Sequence, residues 1–196
     1  MSRKVEFFFD VGSPTTYLAW TQLPALCARS GAELVYRPTL LGGVFQATGN
    51  ASPAAVPAKG RYMDVDMARF ARRYGVPLAL NPFFPVNTLM LMRGATGAQL
   101  RAPERFQDYL RAAFHAMWVV PQNLNDPTVA AQVLAAAGFE PAEVTAWVGD
   151  AQVKAALRAT TDEAVARGAF GAPTMFVGSE MFFGQDRLDF LREALA

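Results

Sequence analysis

Ser13, within the stretch FFFDVGSPTTYLAW, is the side chain whose position points most directly to chemistry. An apolar run ends in an Asp-Val-Gly turn and a helix then opens with Ser-Pro, which makes Ser13 the N-cap and puts Pro14 in the first turn. Such a position faces unpaired backbone N–H groups and the positive end of the helix dipole, so it favours an anion. A cysteine there would be an acidified nucleophile, but the chain carries Ser13-Pro14-Thr15-Thr16, and thiol–disulfide exchange is chemically closed to it. A serine hydroxyl still accepts from a helix N–H while donating to a sulfur brought from elsewhere. The one cysteine, Cys27, falls on the apolar face of the same helix and is expected to pack as a small hydrophobe. The one histidine, His115 in LRAAFHAMW, has no evident partner close in sequence, so neither a disulfide nor a metal centre is expected.

Positioning Ser13 requires a strand before it and a helix after it. Val5 to Phe9 is apolar and aromatic without clean alternation, which suits a central strand covered on both faces. Tyr17, Trp20, Leu23 and Cys27 recur at helical spacing until Ser30-Gly31 stops the helix, with a kink expected at Pro24. Glu33 to Pro38 reads as a second strand, parallel to the first through a right-handed crossover. The segment TLLGGVFQATGNASPAAVPAKG reads as a loop. Helices are expected over Tyr62 to Tyr74, Val86 to Thr96, Pro103 to Val119, Pro127 to Ala137, Pro141 to Val148 and Gln152 to Arg167. TMFVG and EMFFG make a hairpin through Gly178-Ser179, and a last helix starts at Asp186, its expected N-cap. The order β-α-β, helices, β-β-α implies an α/β chain with a thioredoxin-like fold and an inserted all-helical domain, the first formed by residues 1–60 and 151–196 and the second by 61–150.

A chain of 196 residues, 52% of them hydrophobic, is long enough for one compact domain carrying an insertion. Its 18 basic and 17 acidic residues leave a formal charge of +1 with no block of like sign, which argues against a nucleic-acid or anionic-membrane partner and for a small organic ligand. MSRKVEFFFD is broken by Glu6 short of the ~7–15 apolar residues of a secretory signal, and nothing approaches a ~20-residue membrane span, so a cytoplasmic protein is expected.

The stretches FFFDVGSPTTYLA, RPTLLGGVFQATGN, VPAKGRYM, NPFFPVNTL, GAFGAPTMFVG and EMFFGQDRLDFL, in that order, resemble the 2-hydroxychromene-2-carboxylate isomerases and the kappa-class glutathione transferases, a DsbA-like group of thioredoxin-fold proteins. The resemblance implies that glutathione is the cofactor and that its thiol supplies the sulfur missing from the serine motif, with Ser13 as the catalytic group holding the thiolate. It implies that Lys59 of VPAKG pairs with a glutathione carboxylate and that Asn50 borders the same site. It further implies that Ala172, turned outward by a cis bond to Pro173, pairs in strand fashion with the cysteinyl backbone. Asp186 meets the γ-glutamyl end, and Gln185 stands where relatives often carry serine. Phe84, Pro85 and Asn87 line the side of a small aromatic substrate. Without the resemblance, Lys59 reads as a solvated charge, Asn50 as a turn residue and Asn87 as a helix cap.

The reaction implied by the resemblance is reversible isomerisation of 2-hydroxychromene-2-carboxylate to trans-o-hydroxybenzylidenepyruvate, a step in naphthalene breakdown, carried out by a homodimer. The same thiolate also suits a kappa-type transferase or peroxidase. In a different class, the fold suits a non-catalytic binding module.

Overall fold

β1 (Lys4–Phe9) lies inside a four-stranded sheet in the computed structural model, which describes residues 3–196. Its period of two sends Val5, Phe7 and Phe9 to one face and Phe8 to the other, and all four are buried. Burying one such side chain fully contributes about 1.5–3 kcal/mol, so a strand covered on both faces is stabilised by consecutive apolar residues, here Phe7, Phe8 and Phe9. β2 (Glu33–Pro38) runs parallel to β1 with Phe7 opposite Tyr36. The antiparallel hairpin of β3 (Thr174–Val177) and β4 (Glu180–Phe183) completes the order β2-β1-β3-β4.

α1 (Pro14–Ser30) joins β1 to β2; it continues through Pro24, whose ring is exposed, and ends at Gly31 in the left-handed conformation. Between β2 and β3 come α2 (Leu41–Thr48), α3 (Pro57–Tyr74), α4 (Leu89–Arg101), α5 (Phe106–Trp118), α6 (Pro127–Ala136), α7 (Pro141–Gly149) and α8 (Ala151–Ala166), and α9 (Leu188–Ala194) follows β4. This is a thioredoxin-like α/β fold with a helical insertion. The main core fills the space between the Phe7 and Phe9 face and helices α1, α4 and α5, where Phe9 meets the rings of Tyr36 at 6.1 Å and Phe106 at 6.5 Å. On the opposite face Phe8 and Phe176 pack edge to face with Ala164 and Ala169. Arg167 lies 3.9 Å above the Phe176 ring there and pairs with Glu6 (2.8 Å) and Glu163 (3.3 Å). No helix among the described residues is long and apolar enough to cross a membrane.

Three local expectations change. The segment after β2 is not a loop: α2 and a 3-10 turn at Pro53–Ala55 lie within it, and α3 begins at Pro57 rather than Tyr62. Leu41, Val44 and Phe45 share one face of α2, and Gly43 lets it approach α8, since a Cβ there would stand 3.2 Å from Thr161 Cγ2. α4 begins at Leu89 rather than Val86; Asn87 remains cap-like, its Oδ1 accepting from the Leu89 N–H at 3.1 Å although Thr88 holds the N-cap position. Asp186 is not the cap of α9: Gln185–Arg187 form a 3-10 turn after Gly184, and the Asp186 carboxylate pairs with its neighbour Arg187 instead.

Candidate active site

The Ser13 side chain, 5% exposed, sits at the N-terminus of α1 with its hydrogen-bonding capacity in use. Its Oγ accepts from the Thr16 N–H (3.2 Å), the capping bond, and lies 2.9 Å from both the Ala172 carbonyl and Thr15 Oγ1. Thr15 Oγ1 is itself 3.4 Å from that carbonyl. A hydroxyl has one proton to give, so the Ala172 carbonyl and an incoming anion compete for Ser13, and Thr15 is placed to take over the carbonyl. The chain's one thiol, Cys27, is buried away from this position, and burial pushes it up to about 11.

Other residues expected at the site converge on the same segment. The Ala172–Pro173 peptide is cis, and the Pro173 carbonyl accepts from the Gly184 N–H (3.0 Å), which brings Gln185 and Asp186 alongside. Asn50 reaches the Phe170 carbonyl with its Nδ2 (2.7 Å), just before Ala172 in the chain. Gln185 is buried and its carbonyl accepts from the Tyr74 hydroxyl of α3 (2.8 Å). Asp186 is engaged with Arg187 at 2.5 Å. Lys59 is exposed in the first turn of α3 and is not tied to this cluster by a hydrogen bond or ion pair among the described residues.

The segment expected to face a substrate is held separately. Phe84 is 39% exposed, its ring 6.2 Å from that of buried Trp118, and it is joined to Pro85 by a second cis peptide. Asn125 bridges the Phe83 and Pro85 carbonyls with its Nδ2 (3.3 Å each) and accepts from the Asn87 N–H with its Oδ1 (2.9 Å). Leu80, Phe83 and Met90 are also exposed, giving this segment an apolar rim.

Thr15, Thr88, Asn125 and Asp10 are not singled out by sequence reasoning. Asp10 had a signal, a charge closing an apolar run just ahead of Ser13. It is fully buried and accepts from the Gly12 N–H (2.9 Å), the Leu41 N–H (2.8 Å) and the Thr88 hydroxyl (2.9 Å). Burial raises its pKa above the ordinary 3.8, while those three donors pull it down. Because the net shift is upward, the stability this group contributes is present below 3.8 and lost as pH rises through its native value. The three donors offset part of the cost of burying this group.

A serine at the helix N-terminus, a cis-proline beside it and helices inserted ahead of the β3–β4 hairpin accompany a match to the DSBA-like thioredoxin domain over residues 4–196. The chain belongs to the DSBA-like thioredoxin family. Within it, the chain is 32% identical over 200 residues to a 2-hydroxychromene-2-carboxylate isomerase of Sphingobium xenophagum, across 100% of this chain and 99% of that protein. It is 28% identical over 207 residues to glutathione S-transferase kappa 1 of Homo sapiens, across 100% of this chain and 92% of that protein. A solved structure of a 2-hydroxychromene-2-carboxylate isomerase superposes with a TM-score of 0.85 at 29% identity, over 98% of this chain and 94% of that one. This DSBA-like chain offers a hydroxyl and backbone N–H groups at the N-terminus of α1.

Proposed function

We propose that this chain is a glutathione-dependent isomerase interconverting 2-hydroxychromene-2-carboxylate and trans-o-hydroxybenzylidenepyruvate. The observation that carries this reading is the Ser13 hydroxyl, held at the N-terminus of α1 against the carbonyl that precedes cis-Pro173, in a chain whose one thiol is buried. That site fits an anionic sulfur and provides none. Similarity to the isomerases along the whole chain supports the substrate class.

When bound, glutathione would supply a thiolate: once the hemiketal ring has opened, reversible addition to the conjugated enone would make its double bond single, so that rotation can precede elimination of the thiolate. Ser13 turns its proton from the Ala172 carbonyl toward the sulfur, Thr15 takes the carbonyl, and the first-turn N–H groups of α1 favour the anion. Lys59 pairs with a carboxylate of the tripeptide and Asp186 with its ammonium, while Asn50 and Gln185 flank it. The backbone of Ala172 pairs with it in strand fashion. Phe84, Pro85 and Asn87 hold the aromatic substrate and keep water from it. The reading includes a cytoplasmic homodimer acting in the breakdown of naphthalene-type aromatics.

An ultraviolet assay of hydroxychromene carboxylate isomerisation, with and without glutathione, tests it. A rate that requires glutathione without consuming it is expected. Consumption would favour a kappa-type transferase, a reading that the similarity to glutathione S-transferase kappa 1 keeps in view. No rate on any electrophile and no thermal stabilisation by glutathione would leave a binding module. In the same protein, Lys59→Ala is expected to weaken glutathione binding by up to about fivefold, the scale of an exposed ion pair, and more at low salt than at high. Calorimetric titration at two salt concentrations checks this; unchanged affinity removes Lys59 from the site.

A further inference from the structure

The turn Asp10-Val11-Gly12 that delivers Ser13 is gripped by the helical insertion. Asp10 Oδ1 accepts from the Gly12 N–H, while Oδ2 accepts from the Leu41 N–H at the start of α2 and from the Thr88 hydroxyl. Thr88 is the N-cap residue of α4 and follows Asn87 directly. Its methyl lies so close to the turn that a Cβ at Gly12 would stand 2.6 Å from Thr88 Cγ2, a contact only glycine permits. The Val11 N–H faces the Met92 sulfur at 3.4 Å and the Val11 carbonyl accepts from the Trp118 indole at 2.8 Å.

We propose that Asp10 and Thr88 are positioning residues: their hydrogen bond holds the substrate-side segment 84–88 in register with Ser13. The inference rests on the isomerase reading above. Segment 84–88 cannot slide relative to the turn without breaking a hydrogen bond to the buried Asp10 side chain. The distance between a sulfur at Ser13 and a ring beside Phe84 is thereby set, and reactions between two bound groups are steeply sensitive to that distance.

Thr88→Val keeps the shape and removes the hydroxyl; Thr88→Ser keeps the hydroxyl. At temperatures where all forms are folded, Thr88→Val is expected to lower kcat for the hydroxychromene substrate about tenfold, the scale of one buried hydrogen bond, with glutathione affinity unchanged. Thr88→Ser is expected to retain the wild-type kcat. Amide hydrogen exchange at Gly12 and Leu41, which needs neither ligand nor turnover, is expected to quicken in Thr88→Val and not in Thr88→Ser. Faster exchange with wild-type kcat would make the contact merely structural and overturn the proposal, as would a kcat loss shared equally by both variants. A wild type that fails to isomerise with glutathione would overturn the functional reading itself. The register is then decided by exchange alone, unchanged rates in Thr88→Val overturning it and selectively quickened ones supporting it.

Discussion

The Ser13→Ala variant is expected to fold, to bind glutathione and to turn over about a hundredfold more slowly, with its pH profile displaced upward. The stability change is modest: losing an N-cap hydroxyl costs about 0.5–2 kcal/mol, and here the lost partner is the Thr16 N–H. On the proposed reading the same hydroxyl turns from the Ala172 carbonyl to the sulfur, and removing one such donor costs about 10²–10³ in kcat, so the rate change is expected to be larger. A free thiol titrates near ~8.5, so without help most of it is protonated at neutral pH. The N–H groups of the first turn remain in the variant, which is why the thiolate is weakened rather than abolished. Thiolate absorbance near ~240 nm against pH, recorded for glutathione bound to each protein, separates the two roles, because a mere cap leaves the thiol titration where it was. Superimposable titrations for wild type and Ser13→Ala would remove the thiolate role. Ser13→Cys gives a third point on the same series: with Thr16 where a second thiol would be needed, it is expected to form a mixed disulfide with glutathione rather than act as a dithiol oxidoreductase.

Ser13 could be picked out from sequence because its signals are local. An apolar run, a turn and Ser-Pro lie within one short stretch, and the capping bond they imply is present. The same holds for β1, α1, β2 and the β3–β4 hairpin, whose patterns close over neighbouring residues. α2 escaped because Gly42 and Gly43 dilute its apolar face, and what holds it is tertiary: α8 packs against it and Asp10 takes its Leu41 N–H. The expected cap at Asp186 failed for the opposite reason, since a nearer partner, Arg187, takes the carboxylate. The cis bond at Pro173 was carried by family resemblance, because the dipeptide alone favours trans. The link between Asp10 and Thr88 spans 78 positions, and no periodicity or motif reaches that far.

Trp118→Ala is expected to cause the largest loss of stability, and the loss should appear at the Ser13 turn. Trp118 closes α5, is 2% exposed, and is the largest of the fully buried side chains. Truncating a buried tryptophan costs about 3–5 kcal/mol through lost contacts and the cavity left behind. Against a typical domain stability of about 5–15 kcal/mol, that is about a fifth of the total or more. The indole also donates to the Val11 carbonyl at 2.8 Å, so part of the cost falls on the turn between Asp10 and Gly12 and, through the 6.2 Å ring contact, on Phe84. Trp118→Phe separates the two contributions: it keeps most of the ring but leaves a buried carbonyl unpaired, which costs about 1–3 kcal/mol. Urea unfolding of the three proteins checks this, since a lower midpoint at unchanged slope reports stability alone. If Trp118→Phe matches wild type, the hydrogen bond to Val11 contributes nothing and ring volume carries the whole effect. If Trp118→Ala loses less than about 1 kcal/mol, the residue is not packed as a core tryptophan must be.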